Sequence, residues 1–179
     1  LFIEDRARST GLTNVDVVTS DINDFAPTDT YDRIVSVEMF EHLRNWPLMF
    51  SRLATWMRPQ GRAFLHVFCH KEQPYLFEDR SQADWMARYF FTGGMMPSDD
   101  LPHHIAGPLE VERQWQVNGS HYERTANHWL ENLDRQSGLL MPVLADIYGA
   151  TEARRWLHRW RMFFIGCAEL FGHRDGEEW

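Results

Sequence analysis

The stretch YDRIVSVEMFEHLRNW, Tyr31 to Trp46, decides how the rest of the chain is read. Arg33 to Val37 has the apolar, β-branched character of a short strand. It runs straight into an ionisable cluster, Glu38, Glu41 and His42. In an open α/β sheet, ligands bind just past the carboxyl ends of the strands, so three such side chains there make a candidate site. On one helical corner Glu38 shares a face with Glu41 (i, i+3) and with His42 (i, i+4). A carboxylate beside an imidazole can hold and deprotonate an amine, or stabilise a cation. A plainer reading fits the spacing equally well: acids favour the first turn of a helix because they complement its dipole.

Towards the N-terminus, Val15 to Thr19 (VDVVT) is a β-branched run that reads as a buried parallel strand. Asp21 and Ile22 follow its carboxyl end. Asp21 is either a turn or helix cap or an acceptor for an exocyclic amine, with Ile22 packing on a flat ring. Phe2 to Arg8 has helical composition and closes at Gly11, a C′ position.

Towards the C-terminus, Pro47 suits a first helical position. Met49, Leu53, Trp56 and Met57 keep helical spacing until Pro59-Gln60-Gly61 stops it. Arg62 to Cys69 (RAFLHVFC) is the next strand, and strand, helix, strand with short joints implies a right-handed parallel crossover. His66 lies near its carboxyl end; a lone strand histidine is more often a core group than a catalytic one. His66 and His70 are four apart, a spacing that on a strand does not aim both at one metal, and no metal site is expected. Glu72 to Pro108 lacks long periodicity and reads as a cap over the sheet, with Met95 and Met96 as deformable wall or core filling. Glu123 to about Gln136 is a helix with Tyr122, Trp129, Leu130 and Leu133 on one stripe. Leu139 to Tyr148 is a short apolar helix ended by Gly149. Thr151 is the expected N-cap of the longest helix, which runs to Phe171 and ends at Gly172.

The 179 residues suffice for one domain with a real core. A formal charge of −8 argues against a nucleic-acid partner that tracks phosphates. No apolar run is long enough to span a bilayer. Two cysteines, Cys69 and Cys167, suggest no disulfide framework, so a reducing cytoplasm is the expected location. Aromatic residues make up 14% of the chain, which suggests broad apolar contact in a core or an oily cavity.

Several segments resemble the S-adenosylmethionine-dependent methyltransferases grouped with the cyclopropane-fatty-acyl-phospholipid synthases, and most of all their coclaurine N-methyltransferase-like branch. They are SVEMFEHLRNW (36–46), FLHVFCHK (64–71), RYFFTGGMMPS (88–98), VNGSHYERTANHWL (117–130), RWRMFFIGCAELFG (159–172) and GEEW (176–179), in the expected order along nearly the whole chain. The resemblance implies an α/β fold: part of a class I, Rossmann-like parallel sheet with a mostly helical cap. Residues 1–70 would be the C-terminal part of the cofactor-binding core, 71–149 the cap and acceptor-site region, and 150–179 a long core helix and the start of the final strand.

It also implies S-adenosylmethionine as cofactor, with Asp21 and Ile22 at the adenine and Val37 near the methionine part. Glu41 and His42 would sit at the acceptor amine, with Glu38 the first acid of an E-x-x-E-H pattern. In the cyclopropane synthases a bicarbonate ion serves as base. It is held by residues matching Glu41, His66, the backbone of Phe68, and Tyr122. Position 68 is aliphatic there, so Phe68 speaks against cyclopropanation more than against methyl transfer. The expected activity is methyl transfer to an amine, lipid or other small-molecule acceptor. Its rivals are a lipid-modifying cyclopropane synthase and a non-catalytic partner subunit. The family's Gly-x-Gly-x-Gly loop is not in this sequence, which holds no glycine between Gly11 and Gly61. The chain therefore reads as an internal piece of a longer enzyme.

Overall fold

The computed structural model describes residues 2–179. Helix α1 (Phe2–Ser9) carries Glu4 and Asp5 in its first turn and Arg6 and Arg8 in its last, each complementing the helix dipole. Gly11 ends it at φ +73°, where Leu12 N–H donates back to the Ala7 carbonyl at 2.9 Å. Residues 15–19 do not form the expected strand. They carry no regular secondary structure and are exposed, with Val18 70% accessible. No described strand lies alongside them, and a β-branched run without a ladder partner has nothing to satisfy its backbone.

The central unit is a parallel pair, β1 (Tyr31–Val37) and β2 (Met57–His66), joined by α2 (Trp46–Trp56). Asn45 caps α2, its Oδ1 accepting from Leu48 N–H at 3.1 Å, and Pro47 stands in the first turn. Trp46, Met49, Phe50 and Leu53 follow the i, i+3, i+4, i+7 pattern and are all buried. With Phe40 and Met95 they make one core. The Trp46 indole also donates to the Phe40 carbonyl at 3.1 Å, fastening α2 to the turn after β1. Burying each of these large side chains is worth about 1.5–3 kcal/mol.

Beyond β2, the strands β3 (Tyr75–Leu76) and β4 (Met95–Met96) pair antiparallel, with α3 (Trp85–Tyr89) between them. This strap lies over the strand ends, and Met95 and Met96 are buried core filling rather than a cavity wall. Three helices follow: α4 (Ser120–Arg135), α5 (Ser137–Tyr148) and α6 (Ala153–Gly172). Helix α6 starts one residue later than expected, flanked by Glu152 rather than capped by Thr151. Ala126 on α4 meets Cys167, Ala168 and Phe171 on α6, small residues letting the two axes come close. After α6 a tight turn carries Arg174 and Asp175 at φ +50° and +59°. Lys71 N–H then donates to the Glu178 carbonyl at 2.9 Å, tying the last residues to the chain leaving β2. Among the described residues no helix is long and apolar enough to cross a membrane.

Candidate functional site

The site follows from the strand register. Val37 pairs with His66, and Glu38 N–H continues the ladder to the His66 carbonyl at 2.9 Å. The chain then turns sharply, with Glu38 at φ +50°, a left-handed conformation that costs a non-glycine residue roughly 1–2 kcal/mol. That turn sets the Glu38 carboxylate between two partners. His66 Nδ1 lies 2.9 Å from Oε1, a charge contact rather than an aligned hydrogen bond. The Tyr122 hydroxyl, brought in by α4, donates to Oε2 at 3.3 Å. Glu38 therefore ties β1, β2 and α4 together.

Glu38 and Glu41 do not share a helical face. Glu38 precedes the turn, and only Phe40–His42 form a single 3-10 turn. Glu41 points inward and is 1% exposed, with Oε2 unpartnered. Burial pushes its carboxyl up to about 7; its own backbone N–H pulls the value down and the Glu38 charge raises it further. His42 is half exposed, its Nε2 4.0 Å from Glu41 Oε1. Burial, followed by the Glu38 charge, lifts the Tyr122 phenol above its ordinary range. It stays neutral and donates.

An aromatic wall closes this corner. His42 stacks towards Phe91 with ring centres 6.3 Å apart. Phe91 meets Phe68 edge-on at 5.9 Å, and Phe68 meets Phe171 at 5.8 Å. Phe171 stacks on the Tyr122 ring at 4.3 Å. Two carboxylates beside such ring faces form a place suited to a cation. Phe91 belongs to the aromatic cap segment expected to face a cation, whereas Phe171 is a functional candidate that sequence reasoning passed over. The Gly93-Gly94 pair after Phe91 was the available signal of a close approach; nothing local marked Phe171, which read as one more core ring of α6.

The structure thus brings Glu38, His66 and Tyr122 into contact, with Glu41 and His42 adjoining. Val37 and Ile22 belong to another patch, and Asp21 to the turn before Ile22. Val37 is 58% exposed at the end of β1. An open groove of about 430 Å³ runs beside it, lined in part by Ile22, Val35, Val37 and Met39. Asp21 takes the turn role weighed for it: Oδ1 accepts from Asn23 N–H at 2.8 Å and from the Asn23 amide at 2.9 Å. Ile22 is half buried against the α2 core. Among the described residues no group of three or more His, Cys, Asp or Glu is arranged to hold a metal ion.

Parallel strands joined by a helix, with acids and an imidazole at their carboxyl ends, define an α/β fold of the Rossmann-like methyltransferase class. The chain belongs to the mycolic acid cyclopropane synthetase family, whose model matches residues 3–177. It is 36% identical over 182 residues to the (S)-coclaurine N-methyltransferase of Thalictrum flavum subsp. glaucum, covering 99% of this chain and 50% of that protein. It is similar to the crystal structure of a coclaurine N-methyltransferase bound to N-methylheliamine and SAH (TM-score 0.89, 33% identity, 99% of this chain and 54% of that one). The cyclopropane synthase MmaA2 from Mycobacterium tuberculosis shares the fold, with TM-score 0.66 at 20% identity, over 94% of this chain and 62% of that one. The chain spans about half the length of the curated relatives it matches.

Proposed function

We propose that the whole protein is an S-adenosylmethionine-dependent methyltransferase whose acceptor is a small-molecule amine. One observation carries this reading: a buried carboxylate, Glu41, and a bridging one, Glu38, stand beside an aromatic wall at the end of β1. The chain bearing them is 33% identical to a structure that holds a methylated amine and SAH.

The cofactor would supply an electrophilic methyl group, and the residues here do the rest. Val37 and Ile22 offer apolar contact along the groove; Asp21 has one carboxylate oxygen engaged by its own turn and the other free of such a bond. A protonated amine is attracted to Glu38 and to the faces of Phe91 and Tyr122. Glu41, with a pKa of about 7, is poised to take the amine's proton near neutral pH, with His42 passing it to solvent. The loaded nitrogen is then neutral and aligned for in-line attack.

The cyclopropane synthase reading is weaker on a specific ground. Its bicarbonate would be held by Glu41, His66, the Phe68 backbone and Tyr122, and of these His66 and Tyr122 already face the Glu38 carboxylate. A second anion there would meet a like charge at close range, so these residues do not fit bicarbonate. Lipid biosynthesis as the setting is carried only by family likeness, and a cytoplasmic location only by the two unpaired cysteines.

The test is Glu41→Ala in the whole protein, assayed with amine acceptors. The expected result is a loss of turnover of at least about 100-fold with cofactor affinity little changed, the scale on which general bases act. Equal losses in both would make Glu41 structural and sink the proposal.

A further inference from the structure

The strap joining β3 and β4 makes two contacts with the turn that carries Glu41, and neither is explained by packing alone. Arg44, three residues after Glu41, reaches back to the strap. Its Nε donates to the Gly93 carbonyl at 2.8 Å and its Nη2 to the Phe77 carbonyl at 3.1 Å. Both bonds go to main-chain carbonyls rather than to acids, so the contact fixes a backbone path. Phe77 N–H in turn donates to the Gly94 carbonyl at 3.0 Å, closing the hairpin at the same point. Gly94 lies flat on the catalytic turn. A Cβ there would stand 2.3 Å from the Glu41 carbonyl oxygen and 3.1 Å from the Phe77 ring. Its φ is not left-handed, so what position 94 requires is the close approach. Next to it, Phe77 packs against Phe91 at 5.0 Å, and Phe91 is the ring that faces His42. On the same turn His42 is half exposed, and Arg44 beyond it is exposed. Glu41 is sealed, at 1%, as is the core ring of Phe40 before it.

We infer that the strap is a latch that keeps water off Glu41, with Arg44 the positioning residue that fastens it and Gly94 the residue whose bare backbone lets it close. A carboxylate stripped of water holds its proton more tightly and is a stronger base once ionised. The ionisable groups that face Glu41 are Glu38 at the end of β1, His42 on its own turn and Tyr122 from α4, with His66 of β2 behind Glu38. The strap contributes only Gly94 and the rings of Phe77 and Phe91, none of which titrates. Its influence on Glu41 is therefore exclusion of solvent rather than charge.

The kinetic arm of the test rests on the reading of Glu41 as proton acceptor; the spectroscopic arm does not. In the whole protein, Gly94→Ala and Arg44→Met are expected to lower the plateau of kcat/KM. They should also move its acidic limb down by about 1 pH unit or more, towards the ordinary glutamate range. Arg44→Lys keeps a cationic donor and should recover both effects in part. A lowered plateau with the limb unmoved, or no change in either, would overturn the latch. Independently, the titration midpoint of the Glu41 carboxyl, followed by carbon NMR and assigned by its loss in Glu41→Gln, should fall in Gly94→Ala. An unchanged midpoint would also overturn it. If Glu41→Gln turned over normally while that midpoint fell, the proton-acceptor role would be lost and the latch would stand.

Discussion

Glu41→Gln is expected to stabilise the folded protein at alkaline pH while abolishing its chemistry. Burial raises the Glu41 carboxyl from 4.5 to about 7 in the folded state. The side chain is almost wholly shielded from solvent, so the shift acts on stability with little screening. Between pH 4.5 and pH 7 the folded state holds a proton that the unfolded chain has released. The unfolding free energy therefore falls as pH rises through that window. A displacement of roughly 2.5 units at about 1.36 kcal/mol each amounts to about 3 kcal/mol of stability, present below pH 4.5 and absent above pH 7. Glutamine has nearly the same shape and never ionises. Thermal melts of both proteins at pH 5 and pH 8 isolate the effect, because pH responses shared by the two cancel in the difference. The pH 5 to pH 8 interval captures about 2.5 kcal/mol of this, so the variant's melting temperature, relative to wild type, should rise by roughly 5–10 °C between those values, at about 2–4 °C per kcal/mol. A difference that is the same at both pH values would refute the buried, neutralisable carboxyl on which the site reading depends.

Other perturbations probe the neighbouring residues. Tyr122→Phe removes a 3.3 Å hydrogen bond from a partly buried phenol to a carboxylate. It should cost about 1–2 kcal/mol by urea unfolding. Glu38→Gly should ease the backbone at φ +50° yet cut turnover sharply, and added formate or bicarbonate should restore part of it by filling the gap between His66 and Tyr122. Failure of any small carboxylate to rescue would mean that the amine, rather than the His66–Tyr122 pair, is what Glu38 serves. Residues 1–179 alone should bind S-adenosylmethionine weakly or not at all, since no glycine-rich loop lies between Gly11 and Gly61. Tight binding by calorimetric titration would contradict that.

The elements whose partners lie within the sequence were legible in it. Strand β1, helix α2 and the three C-terminal helices each carry their own periodicity and stop signals, and each formed close to where those signals fall. β2 did not: it runs Met57–His66, through the Pro59-Gln60-Gly61 expected to separate helix from strand, and ends three residues before Cys69. Residues 15–19 have equal β propensity but no neighbouring strand to pair with, and propensity without a ladder is not a strand. The convergence of the candidates was also legible: Glu38, Glu41, His42, His66 and Tyr122 all fall at one end of the parallel pair. Geometry was not. A helical wheel set Glu38 beside Glu41, whereas the left-handed kink at Glu38 sends the two acids to different environments. No pattern of residue types announces a glutamate at positive φ, because only the surrounding contacts make it tolerable. The strap was read as irregular for a similar reason. Two-residue strands have no period to detect, and the bonds from Arg44 that hold them span 33 and 49 residues.

The kink at Glu38 also bears on the proposed choice of an amine acceptor. A backbone held in a costly conformation persists only where other contacts outweigh the strain. Here those contacts are His66 and Tyr122, both acting on one carboxylate. The negative charge at the meeting point of β1, β2 and α4 is thus covalently attached to the chain and cannot leave with product. That suits a reaction whose acceptor arrives as a cation, because a permanent anion draws it in and steadies it before attack. It suits poorly a reaction on an uncharged alkene, where the same charge has no ground-state partner and a diffusible base must enter. On the proposed reading, with a tethered acid to bind and a second, shielded acid to deprotonate, the two glutamates would divide what a single exchangeable anion would have to do in turn.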